Sequence, residues 1–410
     1  MLTHTRKDIF LLFTTRIVRL FCYGFLSVVL ALYLIQVGLS EKTVGVLFSL
    51  TLAGDAGISL WLTTSADRFG RKQTLIVGAL LMIGAGLVFI FTRSAIVLAI
   101  AAIIGVISPS GNEIGPFLSV EQAALSQLLP GERRTQTFAW YALAGSLATA
   151  TGALSGGWLA QGLQNNGTSA LDSYRIVLAG YALGGFILIV LFLFLSKAVE
   201  VSAAVKPGQS LFLGLHRSRA VVLKLSGLFA IDAFAGALLV QSLLAYWFHI
   251  KFGVDTGVLG SIFFGANLLA GFSALFASRI AKRFGLINTM VFTHVPSNVF
   301  LILVPLMPNL PLAITVLLLR FSISQMDVPT RQSYTMAVVA PDERSAASGV
   351  TTIARSVGAA LSPSLAGLLM AVPALFSMPF FLSGGMKLVY DLLLYKSFRG
   401  QKAPEESGVR

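Results

Sequence analysis

Long apolar runs alternate with short polar turns along this chain, and the run length predicts transmembrane helices. Crossing the hydrocarbon of a bilayer takes about 20 apolar residues in a helix. Twelve such runs lie near residues 9–36, 43–66, 73–92, 95–127, 135–161, 176–196, 225–250, 256–278, 287–306, 311–339, 345–371 and 374–395. Strands of a membrane barrel would alternate over about ten residues, whereas Ile187-Leu188-Ile189-Val190-Leu191-Phe192-Leu193-Phe194-Leu195 is apolar on every side. The predicted fold class is an all-α membrane protein with twelve transmembrane helices.

The turns carry a repeat. Ala66-Asp67-Arg68-Phe69-Gly70-Arg71-Lys72-Gln73-Thr74 returns 215 residues later as Ala281-Lys282-Arg283-Phe284-Gly285-Leu286-Ile287-Asn288-Thr289. Tyr33 and Thr43 return at an offset of 213 as Tyr246 and Thr256, and Pro130-Gly131-Glu132-Arg133 at 211 as Pro341-Asp342-Glu343-Arg344. Offsets this constant predict duplication of a six-helix unit, giving two pseudo-symmetric bundles. The expected organisation is an N-terminal bundle over 1–196, a cytoplasmic linker over 197–224, and a second bundle with a short cytoplasmic tail over 225–410.

Composition agrees with a bilayer: 56% of the 410 residues are hydrophobic, 11% are charged, and the mean hydropathy is +0.83. The formal net charge of +13 would suggest nucleic acid in a soluble chain, but its placement points to the membrane instead. With the N-terminus inside, the inner loops and tails hold twenty of the 30 lysines and arginines, and the outer side holds Lys42, Arg93, Arg175 and Lys251. That bias predicts cytoplasmic termini. The location expected is a bacterial inner (plasma) membrane, with the first helix retained rather than removed as a signal peptide. Cys22 is the single cysteine, so no internal disulfide or cysteine metal cluster is expected. The four histidines are scattered without metal-ligand spacing, and neither a catalytic set nor a cofactor is expected.

Charge inside the predicted helices is the chemical signal, because each such residue costs about 2.5–3.5 kcal/mol to insert and so faces protein or a wet cavity. Six basic residues, Arg16, Arg19, Arg320, Arg331, Arg355 and Lys387, stand against six acids, Asp55, Glu113, Glu121, Asp232, Asp327 and Asp391. The balance leaves substrate charge open. Ser108-Pro109-Ser110-Gly111-Asn112-Glu113-Ile114-Gly115-Pro116 predicts a broken fourth helix, which at membrane depth survives only against protein or water. Glu113 has no basic residue in its own neighbouring turns and is the first candidate to carry a coupling proton; Asp55 and Asp327 follow. Asp327 and Arg331, like Lys387 and Asp391, are four apart and can meet on one helix face. The turn at 66–74 reads as a latch: Gly70 supplies the bend, Asp67 can reach a helix N-terminus, and Arg68, Arg71 and Lys72 stay at the aqueous surface. Gly152, Gly156 and Gly157 form a small-residue strip in helix 5 that lets two helices approach closely.

Together, the hairpin, the twelve spans and the matching halves resemble the major facilitator superfamily of secondary transporters. Its signature between helices 2 and 3, G-x-L-A-D-R-x-G-R-K, stands here as Thr63-Thr64-Ser65-Ala66-Asp67-Arg68-Phe69-Gly70-Arg71-Lys72, with the charged end intact. The resemblance implies that Asp67, Arg68 and Arg71 hold the two halves together on the inner side, and that helices 1, 4, 7 and 10 line a central cavity. The repeat offset places Asp232 at the position of Arg19 and Arg331 close to that of Glu121, so cavity pairs Arg19–Glu121 and Asp232–Arg331 are expected. Helix 5 looks like the exporter signature G-x-x-x-G-P-x-x-G-G, with Ala148, Gly152, Ala153, Gly156 and Gly157 at its fixed places. It implies proton-driven export of a small molecule by a protein working as a monomer. An uptake symporter, a lipid translocator and a non-transporting sensor of the same fold are the alternatives.

Overall fold

The computed structural model describes residues 2–200, 215–340 and 343–400, apart from the side chains of 2–4, 63–65, 67, 68, 131–133, 135 and 345. Most of the expected linker, 201–214, lies outside the described residues. Sixteen α-helices follow in order: α1 Leu2–Ser27, α2 Leu30–Gln36, α3 Glu41–Phe69, α4 Arg71–Phe91, α5 Ala95–Ile104, α6 Phe117–Leu128, α7 Gly131–Asn165, α8 Ala170–Leu193, α9 Arg219–Ala237, α10 Gln241–Phe252, α11 Thr256–Phe284, α12 Leu286–Leu303, α13 Leu310–Ile323, α14 Asp327–Ala337, α15 Arg344–Met370 and α16 Met378–Phe398. The described residues include no strand.

Nine segments among the described residues are long and apolar enough to cross a membrane, from Thr5–Ser27 to Ala346–Met370. The expected spans 4, 5 and 12 fall to the broken pair α5–α6, to α7 and to α16. Small residues in α7, and Lys387 and Asp391 in α16, lower the hydropathy of those helices. Large apolar side chains such as Leu183, Phe186 and Leu193 are exposed on α8, while Tyr181, Leu188 and Phe192 of the same helix are buried. An apolar exterior of this kind suits lipid.

By contacts the chain forms two compact units, Met1–Ala204 with Val240–Leu268, and Val205–Leu239 with Leu269–Arg410. In the first, α1 packs on α7 and α4 on α8. The helix-5 glycines explain the first of these contacts. A methyl group on Gly152 would run into the Phe21 carbonyl and one on Gly156 into the Phe25 carbonyl, while one on Gly157 would meet Thr256 and Gly260. In the second unit α9 packs on α15 and α12 on α16, around Leu225, Phe229, Met290, Val291, Tyr334 and Leu394. There a methyl group on Gly358 would likewise run into a backbone carbonyl, that of Ala230.

The repeated turn has the same geometry in each unit. Gly70 has φ 99° and Gly285 φ 86°, a region glycine reaches without strain. The Gly70 N–H donates to Ala66 O at 2.9 Å and that of Gly285 to Ala281 O at 2.8 Å. The Thr74 and Thr289 hydroxyls donate back to the two glycine carbonyls.

Four of the expected spans are interrupted: the first at 28–29, the fourth across 105–116, the seventh at 238–240 and the tenth at 324–326. Interruption frees backbone groups that must find partners away from water. Within the first unit three interruptions supply them to each other. The Ser242 N–H donates to Pro109 O at 3.0 Å. Its hydroxyl lies 2.7 Å from both Ser27 O and Pro109 O, and Gln241 Nε2 donates to Ser27 Oγ at 2.7 Å.

Candidate functional site

Buried charge gathers beside these interruptions. Arg16 and Arg19, three apart on α1, project from one face of the helix. Arg19 is fully buried, and its guanidinium grips Glu121 of α6 with two bonds, Nη1 to Oε1 at 2.8 Å and Nη2 to Oε2 at 2.7 Å. Its Nε donates to Glu113 Oε1 at 2.7 Å, and Arg16 Nη1 to Glu113 Oε2 at 2.8 Å. Thr15 and Tyr141 hydroxyls donate to the two Glu121 oxygens. The Arg16 guanidinium lies 4.3 Å from the centre of the Tyr141 ring, and that of Arg19 4.6 Å from Phe117. Two cations thus meet two anions, with bidentate and aromatic contacts that suit arginine and would not suit lysine.

Glu113 has two cationic partners, both on α1, which its own sequence neighbourhood does not reveal. Asp55 on α3 has no cation at ion-pair distance among the described residues. Its Oδ1 accepts from the Gly115 N–H at 2.5 Å and from the Ser59 hydroxyl at 2.9 Å.

In the second unit Asp232 of α9 is the hub. Lys387 Nζ of α16 lies 2.6 Å from Oδ1, and Arg355 Nη1 of α15 and Arg331 Nη1 of α14 lie 2.9 and 3.3 Å from Oδ2. Arg331 also holds Asp327, four residues earlier on its helix, at 2.7 Å. Lys387 and Asp391 are four apart but take different partners: Asp391 Oδ1 lies 2.8 Å from His294 Nδ1, and its Oδ2 accepts from Asn298 Nδ2 at 3.0 Å. Arg355 and Lys387 were legible as cations inside helices, because they interrupt apolar runs. His294 and Asn298 carried no comparable signal.

At the turn between α3 and α4 the carboxylate seated on the N-terminus of α4 is Glu200. It accepts from the Arg71 N–H at 2.7 Å and the Lys72 N–H at 3.1 Å, where backbone donors and the helix dipole favour an anion. Arg71 reaches Gln127 and Val199 O, and Lys72 Nζ reaches Leu193 O and Leu195 O. The side chains of Asp67 and Arg68 lie outside the described residues. Glu343 plays the same part ahead of α9, accepting from the N–H groups of His216, Arg217 and Ser218. Burial pushes its pKa up, but these donors and the Ser218 hydroxyl outweigh that and pull it down to about 2. No group of three His, Cys, Asp or Glu side chains among the described residues is placed to hold a metal ion.

A model of the Major Facilitator Superfamily matches residues 12–363 and, a second time, residues 234–409. The uncharacterized membrane protein YJR124C of Saccharomyces cerevisiae is 31% identical over 427 residues, spanning 97% of this chain and 95% of the yeast protein. Among solved structures, the nucleoside transporter NupG superposes with a TM-score of 0.74 at 13% identity, over 95% of this chain and 99% of that one. A D-xylose-proton symporter gives 0.72 at 14% identity, over 98% and 99% of the two chains. At these identities the likeness to NupG and the symporter is one of fold.

Proposed function

The chain belongs to the major facilitator superfamily, a multi-pass membrane transporter rather than an enzyme, and from that premise we propose that it exports a small molecule in exchange for protons by alternating access. The direction is supported by helix 5, whose Gly152, Gly156 and Gly157 sit at the positions of the exporter signature and are all in backbone contact with a neighbouring helix. The proton is carried by one observation: Asp55, a carboxylate in an apolar helix, has only one N–H and one hydroxyl on Oδ1 and no cation beside it among the described residues. A carboxylate in that setting can bind and release a proton as its surroundings change, whereas Glu113 and Asp327 are each held by arginine at 2.7–2.8 Å.

The bias of lysine and arginine supports cytoplasmic termini. YJR124C is a yeast protein, so it lends no support to the bacterial membrane expected from the sequence. The turn at 70–72, with Glu200 seated against the N-terminus of α4, is read as the inner-side gate.

Growth and accumulation assays across a panel of toxic compounds test the proposal. Overproduction lowers the cellular level of at least one compound, and Asp55→Asn removes that effect while the protein stays in the membrane. Raised accumulation would overturn the direction, and an unimpaired Asp55→Asn variant would overturn the proton site.

A further inference from the structure

The transport reading leaves one buried titratable contact unused. His294, on α12, and Asp391, on α16, are 4% and 1% exposed. Ring Nδ1 and Asp391 Oδ1 are 2.8 Å apart and share one proton, while Nε2 points toward Asp232 Oδ1 at 4.0 Å, beyond hydrogen-bond reach. Tyr390 of α16 meets the imidazole edge-on, with ring centres 6.0 Å apart.

The groups that face this pair come from three further helices and from α16 itself. Asp232 lies on α9, Asp327 and Arg331 on α14, Arg355 on α15, and Lys387 on α16, joined to each other at 2.6–3.3 Å. Three carboxylates, Asp232, Asp327 and Asp391, balance three cations, Arg331, Arg355 and Lys387. With His294 neutral the cluster carries no net charge; with a second proton on the ring it carries one positive charge. That proton would sit on Nε2 and face Asp232 Oδ1, the oxygen Lys387 already holds at 2.6 Å. Two cations, the imidazolium and the Lys387 ammonium, would then converge on one oxygen, and their mutual repulsion sets them in competition for it. The competition falls five residues before the end of α9 at Ala237, where the seventh span is interrupted. Pro296, inside α12 two residues past His294, has no N–H to donate to the carbonyl of Phe292, so α12 can yield there. The Arg355 side chain, on the same hub, is 32% exposed, so the cluster is not sealed.

We propose that His294 is a proton-binding site of the second unit. It takes a proton from the aqueous phase on Nε2, directs the new N–H to Asp232 in place of the Lys387 ammonium, and returns the proton to the aqueous phase when Lys387 recovers its hold. Proton uptake thereby loosens the tie between α9 and α16 beside the interruption of the seventh span. The role in transport rests on the proton-coupled reading above; the binding site itself does not.

Magic-angle-spinning nitrogen NMR of the full chain in liposomes, with ring-labelled histidine, reads the site directly. In H4Q/H216Q/H249Q the remaining histidine is His294. Its Nε2 signal is expected to pass from the unprotonated to the N–H form between pH 9 and pH 5, and to be missing in His294→Gln. If the triple variant aggregates, the same signal is read as wild type minus His294→Gln. An Nε2 that keeps one form across the whole range would overturn the proposal. Export driven by a pH gradient, with a silent His294, would sink this site and leave the coupling reading standing. A titrating His294, with flux indifferent to the gradient, would keep the site and sink its transport role.

Discussion

Arg19 shows how a buried charge is held and what removing a partner does. Its guanidinium bonds Glu121 twice and Glu113 once with no solvent exposure, so deleting one partner strands a charge and costs about 3–5 kcal/mol. Arg19→Ala or Glu121→Ala should therefore lower the melting temperature or abolish monodisperse purification. Exchanging the two, Arg19→Glu with Glu121→Arg, should recover only part of the loss, because Glu113 would then face a glutamate. Full recovery would show that Glu113 contributes nothing. Glu343 gives a pH test at the same scale. Its pKa is held near 2, below the usual carboxylate value of 4.5, so what it adds is complete above pH 4.5 and is lost as pH falls through about 2. Hydrogen exchange at 216–218, corrected for intrinsic rate, should be protected from pH 5 to 8, lose protection toward pH 2, and be unprotected at pH 7 in Glu343→Gln. The charged residues themselves were legible because they interrupt apolar runs, and the repeat register aligned Arg19 with Asp232. The partners of Glu113 were not, since they lie 97 and 94 residues away in the chain.

At the scale of elements, helices were legible where apolar runs were long, and interruptions only where residue chemistry announced them. Pro109, Gly111, Gly115 and Pro116 mark the fourth span, but the first breaks at Val28-Val29 and the seventh at Leu238-Leu239-Val240, with neither proline nor glycine. Tertiary bonds hold those breaks open: Ser242 and Gln241 satisfy Ser27 and Pro109. The helix-5 strip, in contrast, could be read directly, because a glycine every few residues allows close approach whatever the neighbour is. Gly152→Val puts a side chain into the Phe21 carbonyl and should cost about 1–3 kcal/mol by overpacking. Gly162→Val, where nothing lies within 4 Å of an added Cβ, serves as the control and should leave the melting temperature nearly unchanged. Equal losses in both would contradict the packing assigned to α1 and α7.

For the whole molecule, duplication was the most legible feature, and it reaches the backbone: the turns at Gly70 and Gly285 share their φ region, their helix-closing bond and their threonine back-bond. The contact boundary was less legible, since α10 and the first half of α11 belong to the first unit, tied there by Ser242 and by Tyr246 Oη to Glu41 at 2.7 Å. The proposed exchange of cargo for protons is tested most directly in everted vesicles loaded with the chain. For a compound to which overproduction gives resistance, an imposed acid-inside gradient should drive uptake into the vesicles, and nigericin or Asp55→Asn should stop it. Uptake that ignores the gradient, or a gradient that drives the compound out, would contradict it.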